Sequence, residues 1–189
     1  MMSAVQLVRA TDRRRVPWRN GAGATEEIAV GPGRAAGEPI WRLSVAELGE
    51  TPTAFSAYDG VDRIFTVVGD HSVALEWPTR SVSAQPWRPL AFDGAEAPRC
   101  IPDGPTLAFN VMTDAGAAGA DVELVDLGAG SVTTGPDEVM ALFVRSGAAA
   151  AAVYRAEAGD CLVVRDGAAA LRGDAVGLLV RIRVSRNTG

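Results

Sequence analysis

Apolar residues along the chain come in short runs separated by clusters of Gly, Pro and Asp, at a spacing of roughly 8–12 residues. A 3.6-residue period is nearly absent, so the pattern predicts strands and not helices. Strands are expected at Gln6–Arg9, Thr25–Val30, Ile40–Glu47, Phe55–Tyr58, Arg63–Val68, Ser72–Glu76, Leu90–Phe92 and Thr106–Thr113. Further strands are expected at Val122–Leu127, Val139–Arg145, Ala149–Arg155, Cys161–Val164 and Val176–Val184. Gly31-Pro32-Gly33, Asp59-Gly60, Gly69-Asp70, Asp93-Gly94, Asp103-Gly104 and Asp166-Gly167 punctuate them as turns. No helix longer than two turns is expected. The best candidate for a helical turn is Gly135–Glu138, where Pro136 would open it.

A short internal repeat runs through this pattern. Phe65-Thr66-Val67-Val68-Gly69 precedes the strand at Ser72–Leu75, and Phe143-Val144-Arg145-Ser146-Gly147 precedes Ala149–Val153. The second copy continues into Gly159-Asp160 and the strand Cys161–Val164, which resembles the second half of a cupin barrel. The strand pattern reads as all-β, and the repeat adds modest support for a bicupin, two cupin-like antiparallel barrels or jelly rolls. The division is set at 1–115 and 116–189, with Gly116–Ala120 as the seam and strands open to exchange between the halves.

Strand alternation then sorts the polar residues. Thr25, Glu27 and Ala29 share one face of their strand, and Arg42, Ser44 and Ala46 share one face of the next. Arg63 shares a face with Phe65 and Val67, and Asn110 with Ala108 and Met112. If these faces point inward, Thr25, Glu27, Ser44, Arg63 and Asn110 line a polar pocket with room left by the two alanines. An interior Arg63 then needs Glu27 or an anionic ligand beside it. Parity alone leaves the alternative of a solvent-facing strand surface open. Trp18 and Trp41 likewise read either as pocket walls or as core anchors.

Composition narrows the function. The chain has 189 residues, a net charge of −5 and 48% hydrophobic residues. A mildly acidic chain gains no counterion release from a phosphate backbone, so nucleic acid is excluded as a partner. The one basic run, Arg13-Arg14-Arg15, reads as a solvated segment or as an anion patch. All 18 basic residues are Arg, which rules out a lysine base or Schiff-base chemistry. No stretch approaches the roughly 20 apolar residues that span a bilayer, and Met1–Ala10 lacks a signal-peptide core. Cys100 and Cys161 are expected to be reduced and buried, and the protein cytoplasmic.

The histidine count restricts chemistry further. A mononuclear cupin site uses several His ligands and a carboxylate, and this chain has only His71. No metal and no other cofactor is expected. Asp70 and Ser72 flank His71 directly, and neighbours on a strand point to opposite faces, so they form no relay. Gly21-Ala22-Gly23 lacks the third glycine and the following helix of a nucleotide loop, and reads as a flexible turn.

Four ordered blocks resemble the HutD family (HutD/Ves). They are Trp18-Arg19-Asn20-Gly21-Ala22-Gly23-Ala24-Thr25-Glu26-Glu27, Trp41-Arg42-Leu43-Ser44-Val45-Ala46, Phe55 to Arg63 with Gly69, and Phe92-Asp93-Gly94 with Gly104 and Phe109-Asn110-Val111-Met112. The resemblance implies a bicupin without the usual metal ligands and an association with histidine utilisation. It maps the family's motif positions onto Trp18, Asn20, Thr25, Glu27, Trp41, Arg42, Ser44, Arg63, Asp93, Asn110 and Met112. Three departures stand out: Thr53-Ala54 before Phe55 where the family has Gly-Pro, Ala22 where it has Gly, and Thr113-Asp114 in place of a basic pair.

Two functions follow as expectations. The first is a metal-free protein that binds a small anionic metabolite, such as urocanate or a formylated glutamate derivative. Its ligand-binding set is Asn20, Thr25, Glu27, Ser44, Arg63, Asn110 and Met112, with Trp18 and Trp41 as walls. The second is an enzyme on a small histidine-pathway acid, with a buried Glu27 as general base. A homodimer formed through strand edges remains open.

Overall fold

The computed structural model describes residues 4–18, 23–33, 37–128, 130–165, 167 and 169–185. Its strands in chain order begin with β1 (Val5–Val8), β2 (Arg14–Pro17), β3 (Gly23–Val30), β4 (Trp41–Leu48), β5 (Thr53–Ala54) and β6 (Val61–Val67). Next come β7 (Val73–Trp77), β8 (Arg80–Ala84), β9 (Leu90–Asp93), β10 (Arg99–Pro102) and β11 (Thr106–Asp114). The remainder are β12 (Ala118–Asp126), β13 (Ser131–Val132), β14 (Glu138–Ser146), β15 (Ala149–Ala151), β16 (Tyr154–Ala156), β17 (Cys161–Arg165), β18 (Leu171–Gly173) and β19 (Val176–Val184). The helices among the described residues are two single 3-10 turns, Ala10–Asp12 and Gly94–Glu96. The helical turn expected at Gly135–Glu138 is instead a tight turn with Asp137 at φ 62°, and Glu138 already starts β14.

Contacts divide the chain into a unit of residues 14–118 and a unit of residues 1–13 with 119–189. The first, here the cavity unit, has a six-stranded sheet β2-β3-β4-β11-β6-β9 and a four-stranded sheet β5-β10-β7-β8. The second, here the packed unit, has β1-β17-β14-β19-β12 and β13-β18-β15-β16. Advancing every strand number by eight converts β4-β11-β6-β9 into β12-β19-β14-β17, and β5-β10-β7-β8 into β13-β18-β15-β16. Each unit is therefore the same eight-stranded jelly roll, with β2–β3 added at one sheet edge and β1 at the other. The fold is the all-β bicupin, with paired open sheets in each unit in place of a closed ring.

The added N-terminal strand is anchored by the Gly159-Asp160 turn. The Val5–Val8 strand pairs antiparallel with Cys161–Val164. The Asp160 carboxylate accepts from the Ala10 N–H at 3.0 Å and the Glu157 N–H at 3.1 Å. Arg13 donates to the Gly159 carbonyl and lies 5.4 Å from the Phe143 ring centre. Arg15 pairs with Glu47 at 2.6 Å. The basic run is thus dispersed, two of its three side chains being engaged within the fold.

Both units bury apolar side chains between their sheets. In the cavity unit Leu48, Phe65, Val67, Val73, Leu75, Cys100 and Ala108 form one cluster; in the packed unit Met140, Leu142, Val144, Leu162, Val164, Leu171 and Leu179 do. Each large side chain removed from water in this way contributes roughly 1.5–3 kcal/mol. Cys100 and Cys161 are both free and fully buried, and burial pushes each thiol up to about 12, so neither is a reactive thiolate. Among the described residues no helix is long and apolar enough to cross a membrane.

Candidate functional site

The inner face of the six-stranded sheet is ordered by its ladder. Thr25 lies opposite Ala46 and Glu27 opposite Ser44. Ser44 lies opposite Asn110, and Arg42 opposite Met112. On the other side of β11, Asn110 faces Phe65 and Met112 faces Arg63. Arg42 and Arg63 therefore flank Met112, two strand spacings or roughly 10 Å apart at their Cα atoms.

These residues open onto a cavity of about 540 Å³. Its floor is Thr25, Arg42, Ser44, Ala46, Arg63, Asn110 and Met112; Trp18 closes one side, and Phe55, Ser56 and Tyr58 the other. The room comes from Ala46 and Ser44, two small residues between Arg42 and Leu48 on the inner face of β4. Gly23 is needed at the rim, because a Cβ there would come 2.5 Å from the Glu47 carbonyl and 3.0 Å from the Trp18 ring.

Arg63 is 9% exposed and sits deep in this wall. Its Nε and Nη2 both donate to Asn110 Oδ1, at 3.0 and 2.7 Å. The Phe55 ring covers its guanidinium at 4.1 Å, with Phe92 and Phe65 at 5.6 and 5.9 Å. Among the described residues no carboxylate pairs with it. Burial lowers its pKa to about 10, and the nearby Tyr58 phenol and Cys100 thiol oppose that effect. Asn110 Nδ2 donates to the Ala108 carbonyl at 3.2 Å. Trp18 Nε1 donates to Thr25 Oγ1 at 2.7 Å, which leaves the Thr25 hydroxyl proton free to donate elsewhere. Ser44 is 4% exposed, and its hydroxyl has no protein partner among the described residues.

Thr25, Ser44, Arg63, Asn110 and Met112 are thus gathered in one cavity, with Trp18 as a wall. Glu27 and Trp41 are not in it. Glu27 is 44% exposed at its side chain and pairs at 3.4 Å with Arg42, not with Arg63. A general base activated by burial is not available at that position. Trp41 is 1% exposed and packs against Gly31 on the other face of β4, as a core anchor. A bulge between Glu27 and Ala29 reverses the alternation of β3, so Ala29 faces away from the cavity, opposite Leu43. Asn20 lies outside the described residues.

The sequence reading assigned no site role to Arg42 beyond its motif position, nor to Phe55, Ser56 and Tyr58. For Arg42 the signal was its shared parity with Ser44 and Ala46. Phe55–Tyr58 is not a strand; it follows β5 as an irregular wall segment whose Phe55 and Tyr58 N–H groups bond to Pro98 and Gly94 carbonyls.

The donor set does not suit a metal. The cavity wall presents hydroxyls, an amide and two guanidiniums, with no His, Cys, Asp or Glu. Among the described residues no three such ligands lie together elsewhere. His71 is exposed in the β6–β7 turn, against Gly104.

The HutD family model matches residues 10–180. The chain belongs to the HutD family. A protein of Pseudomonas putida described as an uncharacterised 21.2 kDa protein in the hutC 3′ region is 40% identical over 118 residues, 59% of each chain. The chain thus spans about three fifths of that curated relative in the matched stretch. The family is linked to the histidine-utilisation operon. HutD from Pseudomonas fluorescens SBW25, solved in a formate condition, superposes with a TM-score of 0.84 at 28% identity, over 96% of this chain and 99% of that one. The Escherichia coli pirin YhhW in complex with nickel(II) shares the fold alone, with a TM-score of 0.65 at 8% identity over 95% and 99% of the two chains.

Proposed function

We propose that this HutD protein is a metal-free, cytoplasmic accessory or regulatory protein of histidine utilisation that binds a small carboxylate metabolite in the cavity of residues 14–118. The observation carrying this reading is the buried Arg63, whose partner is a neutral amide and which opens onto a cavity lined by further donors. Taking a guanidinium out of water is costly unless a negative group offsets it. No described residue supplies one here, and a ligand carboxylate would. Ser44 and Thr25 have hydroxyl protons available to fix its orientation, Met112 and Phe55 give apolar walls, and Arg42 adds a second cation nearer the solvent.

The test is a thermal-shift screen with urocanate, formiminoglutamate, N-formylglutamate, glutamate, histidine and formate, with and without EDTA. A shift of several degrees for one acid, unchanged by EDTA and lost in Arg63→Ala, is the expected result. No shift for any acid, or survival of the shift in Arg63→Ala, would overturn it.

A further inference from the structure

Arginines on the inner faces of the two jelly rolls are handled differently. In the packed unit Arg181 donates to the Glu138 carboxylate at 3.1 Å, a charge-neutral pair. In the cavity unit Arg63 donates through two nitrogens to one uncharged oxygen. An amide oxygen takes both hydrogen bonds without cancelling the charge. It also occupies the Nε–Nη2 side of the fork, the side a ligand carboxylate could otherwise approach. No described residue accepts from Nη1, and the Phe55 ring closes one face of the guanidinium plane.

We propose that Asn110 is the residue that sets this site's preference for anions. Its Oδ1 fixes the orientation of Arg63, leaves the positive charge uncompensated, and reserves the Nη1–Nη2 end for a ligand carboxylate bound edge-on. Replacing it by aspartate keeps the acceptor and removes the net charge. The site then holds an internal ion pair like that of Arg181 and Glu138, and an incoming carboxylate meets a negative neighbour. Asn110 acts through Arg63 as a positioning residue, and this role rests on the anion-binding reading above.

Calorimetric titration with N-formylglutamate and with urocanate, in EDTA, tests this on the intact chain and on Asn110→Asp and Asn110→Ala. The expected result is a loss of affinity of tenfold or more in Asn110→Asp, with a melting temperature equal to or above that of the unaltered protein. Asn110→Ala keeps the charge and loses less than the aspartate variant. A role in structure alone would reverse that order, because aspartate preserves both hydrogen bonds from Arg63 and loses only the Nδ2 donation to the Ala108 carbonyl, whereas alanine preserves none of the three. Should Asn110→Asp not fold, Met112→Glu sets a carboxylate at the position paired with Arg63 and makes the same prediction. Binding by the unaltered protein with less than a tenfold loss in Asn110→Asp would overturn the role of Asn110 and leave the anion site standing. No binding of either acid by the unaltered protein would overturn the anion reading and this role together.

Discussion

Across β6, β11 and β9 the inner face of the cavity unit holds Arg63, Asn110 and Phe92; across β14, β19 and β17 the packed unit holds Met140, Leu179 and Val164 at the matching places. Phe65 is paired with Asn110 and Leu90, as Leu142 is with Leu179 and Leu162. One strand order thus supports two interiors. In one, apolar side chains meet and fill the space between the sheets. In the other, a buried cation with a neutral partner borders a cavity of about 540 Å³. The jelly roll needs neither the charge nor the cavity to be stable. Arg181, the arginine on the inner face of the packed unit, has the Glu138 carboxylate beside it, whereas Arg63 has an amide; under the proposed reading a ligand accounts for that difference.

The comparison can be broken from the packed side first. Met140→Arg places a guanidinium in a fully buried position opposite Arg181, where the neighbouring Glu138 carboxylate is already engaged by that arginine. It should cost about 3–5 kcal/mol, read as a large drop in the urea midpoint or as failure to fold. From the other side, Arg63→Met combined with Asn110→Leu installs the packed unit's residues in the cavity unit. The double variant should gain about 1–3 kcal/mol of stability while losing all binding of carboxylates.

A smaller effect concerns Glu138. Burial alone would raise its pKa, but hydrogen bonds from Thr134 Oγ1 and the Gly135 N–H, together with Arg181, hold it below the ordinary glutamate range. The contribution of this group is complete above that range and is lost as the pH falls through the lowered folded value. Glu138→Gln should cost about 1 kcal/mol at neutral pH and flatten the acid limb of a stability-against-pH curve. The smallest effect is expected at Thr25. Thr25→Val leaves the half-buried Trp18 indole N–H without its acceptor and should cost about 0.5 kcal/mol, with a shift in tryptophan emission.

Much of this was legible in the alternation of residues. Val176–Val184 appears with the bounds expected of it, and Thr106–Thr113 and Arg63–Val68 differ by a residue or two at their ends. Ser44, Arg63 and Asn110 share a face because three uninterrupted strands keep a strict period of two. What alternation could not show is where the period breaks. The bulge in β3 is invisible in a run of apolar residues, and it reverses Ala29. The internal repeat is one residue out of step with the aligned phenylalanines: Phe65 belongs to the core between the sheets, where Leu142 and not Phe143 stands in the other copy. Short strands such as Arg80–Ala84 and Arg99–Pro102 escaped because so few of their residues turn inward. The Ala149–Arg155 strand is in fact two, split by a turn with Ala152 at φ 51°. Parity and charge together suggest Glu27 as the partner of Arg63; it does stand opposite Ser44, but its carboxylate pairs with Arg42, since two further strands separate it from Arg63.

The most direct test is titration of the intact chain and of the Arg63→Met, Asn110→Leu double variant with N-formylglutamate and urocanate in EDTA. Saturable binding of at least one acid by the intact chain, absent from a double variant that melts at a higher temperature, is the predicted result. Equal binding by both proteins, or binding by neither, would contradict the assignment of the Arg63 cavity as the carboxylate site.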